Sequence, residues 1–199
     1  MHPNPAFHDL DEGAALAAAE RIGFAHIVAV VEGAPMVAHA PIARAGARAF
    51  RFHLARGNRL TPHLDGARVL LSLVGPHGYI TPNWYRPPGD QVPTWNYVAV
   101  ELDGTARLMP DEALVEQLDR LAEVHEPGLS PLPWTRGKMD PAKFDAMRSA
   151  IRGFEVTVDA VRVTNKLGQN KAAPDREGVI AGLEASGNFA LAAALRRAS

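Results

Sequence analysis

No cysteine occurs among the 199 residues. Its absence removes disulfides, thiolate metal sites and cysteine nucleophiles, and nothing then calls for an oxidising compartment. Excess basic charge is missing too: 21 Lys and Arg stand against 22 Asp and Glu, for a formal net charge of −1. The strong positive charge of a typical nucleic-acid binder is therefore lacking, although local basic patches remain open. No apolar run approaches the ~20 residues that cross a bilayer. The opening MHPNPAFHDLDEG has no charged segment followed by an apolar core, so no secretion signal is expected. The expectation is a cytoplasmic chain without membrane association. The G-x-G-x-x-G, Walker A and G-x-S-x-G motifs are absent, which sets aside the usual dinucleotide, P-loop and serine-hydrolase readings. The eight histidines are scattered, without the i, i+4 pair and nearby Glu of a zinc helix. No metal site is expected and no catalytic residue is assigned.

Aromatic residues are few, at 7% of the chain, but they are concentrated. All three Tyr and two of the three Trp fall between Ala49 and Tyr97. That stretch opens as a strand, with Phe50, Phe52 and Leu54 on one face and Arg51 and His53 on the other. A polar corner, Arg56-Gly57-Asn58, follows, then an apolar run from Val69 to Val74. An aromatic, proline-rich loop with Tyr79, Trp84, Tyr85, Trp95 and Tyr97 closes it.

At this length the expectation is one domain over residues 1–199, able to bury about 70% of its unfolded surface. Residues 1–10 read as an extended arm. Helices are predicted at about 11–22, 111–125, 140–152 and 175–197, the last split at Gly187. Asp11 and Asp140-Pro141 are N-terminal signals. Leu114, Leu118 and Leu121 form one apolar stripe, and Phe144, Met147 and Ile151 another, which Gly153 ends. Strands are predicted at 24–31, 36–42, from Ala49, at 97–108 with a bulge or turn at Asp103-Gly104, and from Phe154 through Val163. Arg44 to Arg48 reads as a turn. Short strands with close turns fit an antiparallel sheet or barrel better than βαβ units. The fold class is a β-barrel with peripheral helices, α+β.

Three polar clusters could carry chemistry. His53, Arg56, Asn58 and Arg59 at a strand end could hold a phosphate, through the guanidinium fork and an unobstructed glycine backbone. Spacing alone favours the simpler reading, a solvated turn after the strand. In Val92-Pro93-Thr94-Trp95-Asn96-Tyr97, Thr94 and Asn96 point away from Trp95 in an extended segment. Together they could read the edge of a heterocycle, or Trp95 could simply plug a barrel end. The knot Lys166-Leu167-Gly168-Gln169-Asn170-Lys171 offers two cations and two amides, suited to a phosphate and a flavin edge. It also fits a solvated strand end.

At these same segments the chain resembles the PaiB family of FMN-binding negative transcriptional regulators. The matching stretches are FHLARGN (52–58), GYITPNWY (78–85), VPTWNY (92–97), GFEVTVDAVRVTNKLGQNK (153–171) and DREGVIAGL (175–183). The resemblance implies an antiparallel split β-barrel like that of pyridoxamine phosphate oxidase, usually a homodimer with FMN at the subunit interface. It implies an FMN site of His53, Arg56, Asn58, Thr94, Trp95, Asn96, Lys166, Gln169 and Asn170. Arg56 and Lys166 would face the phosphate and Trp95 would wall the ring. Where the family pattern has Ser, this chain has Thr81, Asn83 and Gly168. The regulatory role implies a DNA or protein partner. Direct DNA contact would need Arg44, Arg48, Arg51, Arg59 and Arg68 on one face. The alternatives are an FMN-dependent oxidoreductase, with His53, Tyr79 or Tyr85 as proton donors, and a haem- or small-molecule-binding barrel with His63 or His77 at its mouth.

Overall fold

The alternating apolar segments become six strands: β1 Phe24–Val31, β2 Ala34–Gly46, β3 Ala49–Ala55, β4 Arg68–Ile80, β5 Thr94–Leu108 and β6 Ile151–Lys166. They close a barrel in the order β1-β2-β3-β6-β5-β4. Strand β1 pairs antiparallel with β2 and β4, β2 with β3, and β3 with β6. Among the described residues five α-helices accompany them: α1 Glu12–Ile22, α2 Asp111–His125, α3 Pro141–Ser149, α4 Ala173–Ala185 and α5 Phe189–Arg197. The computed structural model describes residues 3–8, 11–86 and 91–198. Among these, no helix is long and apolar enough to cross a membrane. The antiparallel split-barrel expectation and the α+β class therefore hold.

The hairpin between β1 and β2 turns on Glu32 and Gly33, at φ 51° and 80°. Two residues with positive φ give the turn whose twist matches the flanking strands. Inside the barrel, Phe50, Phe52 and Phe154 are fully buried. Phe52 and Phe154 face each other across the β3–β6 register, rings stacked 5.5 Å apart.

The chain divides into two compact units, each discontinuous in sequence. The first comprises Met1–Ala15, Val74–Val100 and Arg162–Ser199; the second comprises Leu16–Leu73 and Glu101–Val161.

Several local expectations change. Residues 5–7 form a 3-10 turn rather than an extended arm, with the Asn4 side chain accepting from the Ala6 amide at 3.0 Å; residues 1–2 and 9–10 lie outside the described set. Pro87–Asp90 of the aromatic loop also lie outside it. Strand β2 continues through Arg44 to Gly46 with a register shift between them, so the turn is shorter than the sequence suggests. Asp103-Gly104 makes no turn, because β5 runs through it. A Cβ on Gly104 would overlap the Thr157 carbonyl oxygen, so glycine serves a close backbone approach. Helix α3 stops at Ser149, and Ile151 and Gly153 belong to β6, paired with Ala55 and His53. The ladder outweighs the helical spacing here, and Met147 is left 58% exposed. Gly153 gives room to Met109 and Leu114, which a Cβ would meet at 2.5 and 3.1 Å.

In the first unit, α4 and α5 form an apolar layer over Ile80, Tyr85 and Leu167 through Val179, Leu183, Leu191 and Leu195. Gly187, at φ 81°, ends α4. Asn188 then caps α5, its Oδ1 accepting from the Leu191 amide at 3.3 Å, while its Nδ2 donates to the His77 carbonyl at 3.0 Å. Helix α4 lies directly on Trp84. A Cβ on Gly178 would overlap the Trp84 carbonyl oxygen, and one on Gly182 would enter its indole ring. Alanine is the better helix former by about 1 kcal/mol, but backbone overlap cannot be relieved by a rotamer change. Gly178→Ala is therefore expected to destabilise the protein by about 1–3 kcal/mol, the usual cost of overpacking. Chemical denaturation checks this; an unchanged or higher midpoint would mean that α4 is not seated on Trp84.

Candidate functional site

Period-two geometry sorts the hexapeptide on β5. Asn96 is 4% exposed and Trp95 48% exposed, as expected for neighbours on opposite faces of a strand. Thr94 and Asn96 line a cavity of about 270 Å³ within the first unit, together with Lys166, Gly168, Asn170 and Lys171. Strand β6 delivers Lys166 at its last residue, and the knot turns back immediately after it. Gly168 makes that turn at φ 74°, a conformation that would strain the serine of the family pattern. The Lys171 amide donates to the Gly168 carbonyl at 2.9 Å, closing the loop.

The charges in this cavity are one-sided. Lys166 Nζ donates to Thr94 Oγ1 at 2.7 Å. Lys171 Nζ donates to Gln91 Oε1 and lies 4.8 Å from the centre of the Tyr85 ring. Arg176, in the first turns of α4, lines the same space. No Asp or Glu is among the lining residues, and among the described residues neither lysine has a carboxylate partner. Burial, and next the charge of Lys171, hold the Lys166 ammonium below the usual lysine pKa. Three cations, four amide side chains and a hydroxyl, with no Asp or Glu among the described lining residues, make a donor set suited to an anion with polar edges. That donor set fits the phosphate end of FMN. Among the described residues, no group of three or more His, Asp or Glu could hold a metal ion.

The other candidates stand elsewhere. Gln169 spends its side chain on the loop, accepting from the Leu167 amide at 2.9 Å and donating to the Asn165 carbonyl. Trp95 lies on the outer face, donating from Nε1 to His77 Nδ1 at 3.3 Å, with the two rings stacked 5.9 Å apart. Tyr79 meets the same indole edge-on at 6.3 Å. His53, Arg56 and Asn58 belong to the second unit. Half-buried on β3, His53 has its pKa lowered by burial and sits 3.5 Å from Gln117 Nε2. Arg56 donates from Nε to the Ser149 carbonyl and from its amide to the Ala150 carbonyl. Asn58 Oδ1 accepts from the Leu60 amide at 2.9 Å. Sequence reasoning missed Gln91, Tyr85 and Arg176 as cavity residues. Lys171 had a local signal, five places after Lys166, whereas Arg176 arrives only through the seating of α4.

Comparisons with known proteins bear on the family and the fold. Residues 1–160 match a family model described as "Putative FMN-binding domain". The Bacillus subtilis (strain 168) protein named "Protease synthase and sporulation protein PAI 2" is 30% identical over 166 residues, 81% of this chain and 78% of that one. An uncharacterized protein of Emericella nidulans is 30% identical over 164 residues, 75% of this chain and 64% of its own length. Among solved structures, the flavocytochrome Anf3 from Azotobacter vinelandii superposes with a TM-score of 0.59 at 22% identity, over 79% of this chain and 68% of that one. The FAD and haem binding protein from Mycobacterium smegmatis gives 0.54 at 19% identity, over 84% and 77%. These two likenesses establish the fold.

The crowded lysines carry a stability consequence. A lysine whose folded pKa is depressed costs stability below that value, and the cost disappears above the unfolded value near ~10.4. Lys166→Met is therefore expected to raise the Tm of the FMN-free protein at pH 7, with the gain fading as pH rises through the lowered pKa. Thermal scans across pH test this; a lower Tm at pH 7 would show that the Thr94 bond outweighs desolvation and repulsion.

Proposed function

We propose, on the premise that this chain belongs to the PaiB family of FMN-binding proteins, that it works as an FMN-loaded homodimer with a negative regulatory role in transcription. FMN lies at the subunit interface with its phosphate in the Lys166–Lys171 cavity. The carrying observation is that these two ammonium groups face one cavity with no Asp or Glu among its described lining residues. A phosphomonoester brings about −1.5 to −2 charges at neutral pH, close to what the lysines require. Thr94, Asn96 and Asn170 supply a hydroxyl and amides to phosphate and ribityl oxygens. Bound FMN would supply electron-transfer chemistry, and the chain binds and orients it.

Arg56, His53 and Asn58 complete the ligand set that the resemblance implies, with Gln169 bracing the loop. From the outer face Trp95 walls a flavin ring at the subunit seam. The exposed ladder of His77, Trp95 and Tyr79 supports that seam, since contiguous apolar surface marks an interaction site. Tyr79 is 52% exposed and Trp95 48%.

The regulatory role runs through a protein partner or a small molecule rather than through phosphate-driven DNA contact. Arg51 lies between Glu116 and Glu155, and Arg68 between Asp103 and Asp159. Arg44 and Arg48 direct guanidinium donors to backbone carbonyls. The arginines that a DNA-binding face would need are largely engaged, two of them beside paired carboxylates.

Lys166→Ala and Arg56→Ala are each expected to weaken FMN binding by about 1.5–3 kcal/mol, the scale of a charge-assisted hydrogen bond. Calorimetric titration measures it; unchanged affinity in both variants would remove the phosphate assignment. Titrating the protein against its own upstream DNA at several salt concentrations is expected to give no steep salt dependence. A strong fall in affinity with salt would restore direct DNA binding.

A further inference from the structure

We infer that His26 and His39 form a cross-strand pair of imidazole ligands for a first-row transition-metal ion of the Zn²⁺ and Cu²⁺ class, on the outer face of the barrel. The pair belongs wholly to the second unit and uses no residue of the cavity, so it stands independently of the FMN reading. Strand register and unused ring nitrogens carry the inference.

Register brings the two rings together. His26 on β1 pairs directly with His39 on β2, and on its other side with Ser72 on β4. Residues directly opposite on antiparallel strands share a face, with Cβ atoms about 4.5–5.5 Å apart. Their strand neighbours Ala25, Ile27, Ala38, Ala40, Leu71 and Leu73 are all buried, so the row Ser72, His26, His39 faces outward. The imidazole rings stand 5.0 Å apart, centre to centre, and nearly perpendicular at 88°. Two imidazoles on one tetrahedral zinc, with Zn–N bonds near ~2.0–2.1 Å, place their ring centres roughly 5 Å apart. The ladder therefore holds the rings at chelating distance before any ion arrives. An i, i+4 spacing on a helix is blind to such a pair, because pairing between strands makes it.

The ring nitrogens are uncommitted. Among the described residues neither imidazole takes part in a hydrogen bond or an ion pair, and their ring contact is with each other. His77 and His53, by contrast, have Trp95 and Gln117 as polar partners. The flanking rows of the sheet are apolar: Phe24 opposite Pro41, and Val28 between Val37 and Leu70. These rows bring neither a carboxylate to engage the rings nor an ammonium to repel an ion. Imidazole ligands without carboxylates favour Zn²⁺, Cu²⁺ or Ni²⁺ over the oxygen-seeking Mg²⁺ and Ca²⁺. Two protein ligands are fewer than the three or four of catalytic and structural zinc. Water therefore fills the remaining positions, the Ser72 hydroxyl in the same row is placed to bond one such water, and affinity stays well below that of a closed four-ligand site. A bound ion clips β1 to β2 on the side away from the core and adds its binding free energy to the folded state.

Calorimetric titration of zinc chloride into the full chain, its His26→Gln variant and its His39→Gln variant tests the inference. Wild type is expected to bind a first Zn²⁺ at least roughly 10-fold more tightly than either variant, and to bind Cu²⁺ more tightly than Zn²⁺, with magnesium chloride giving no heat of binding. His39 is exposed, so His39→Gln is expected to melt like wild type in the absence of metal. Zinc is expected to raise the Tm of wild type, with the rise lost in His39→Gln. A measurement on wild type alone keeps the test independent of the variants. Electron paramagnetic resonance with one equivalent of Cu²⁺ is expected to show hyperfine coupling to two imidazole nitrogens. Equal Zn²⁺ affinity in wild type and both variants would overturn the site, as would coupling to a single nitrogen. Wild type that takes up no Zn²⁺ at millimolar concentration would overturn it as well, and each of these results leaves FMN binding untouched.

Discussion

Two ammonium groups share one cavity that no Asp or Glu lines among the described residues, and the rest of the site follows from that. Lys166 and Lys171 are brought together by a loop that must reverse at the end of β6, which it does at Gly168 with φ 74°. Like charges close together in a desolvated place are unfavourable unless something else gains. Thr94 softens the cost by accepting from Lys166 at 2.7 Å, but a hydroxyl brings no opposing charge. On the proposed reading, the arrangement trades stability of the empty chain for affinity toward the FMN phosphate, as binding sites commonly do.

The surrounding structure keeps this loop in place. The glycines at 178 and 182 let α4 rest on Trp84, and α4 in turn brings Arg176 and Val179 to the cavity. Alternation on β5 turns Thr94 and Asn96 inward and sends Trp95 outward to its stack with His77. The second unit builds its own core around Phe50, Phe52 and Phe154 and uses its arginines in local pairs. Arg51 between two glutamates and Arg68 between two aspartates illustrate why a count of basic residues overstates the charge available to a partner.

Much of the barrel was readable from residues alone, because its strands have one buried face and alternate cleanly. The opposite orientations of Thr94 and Trp95 were readable for the same reason. Three local signals misled. Asp103-Gly104 has turn chemistry, yet the glycine exists to let the Thr157 backbone approach. Phe144, Met147 and Ile151 have helical spacing, yet Ile151 pairs with Ala55 in the sheet. Arg44 to Arg48 has the look of a turn, yet β2 runs on to Gly46. Each time a long-range contact outweighed a local preference. The cavity was half legible: Lys166, Asn170 and Lys171 sit in one knot, whereas Arg176, Tyr85 and Gln91 reach it only through tertiary packing.

The phosphorus atom of the ligand is the most direct witness to the central claim. Phosphorus NMR of FMN on the purified protein, followed from pH 5 to 8, reads the charge state of the phosphate in place. The expected result is a bound resonance distinct from free FMN whose titration midpoint lies well below the ordinary value near ~6, because two lysines favour the dianion. A bound resonance that titrates like free FMN would mean that the phosphate does not sit between Lys166 and Lys171.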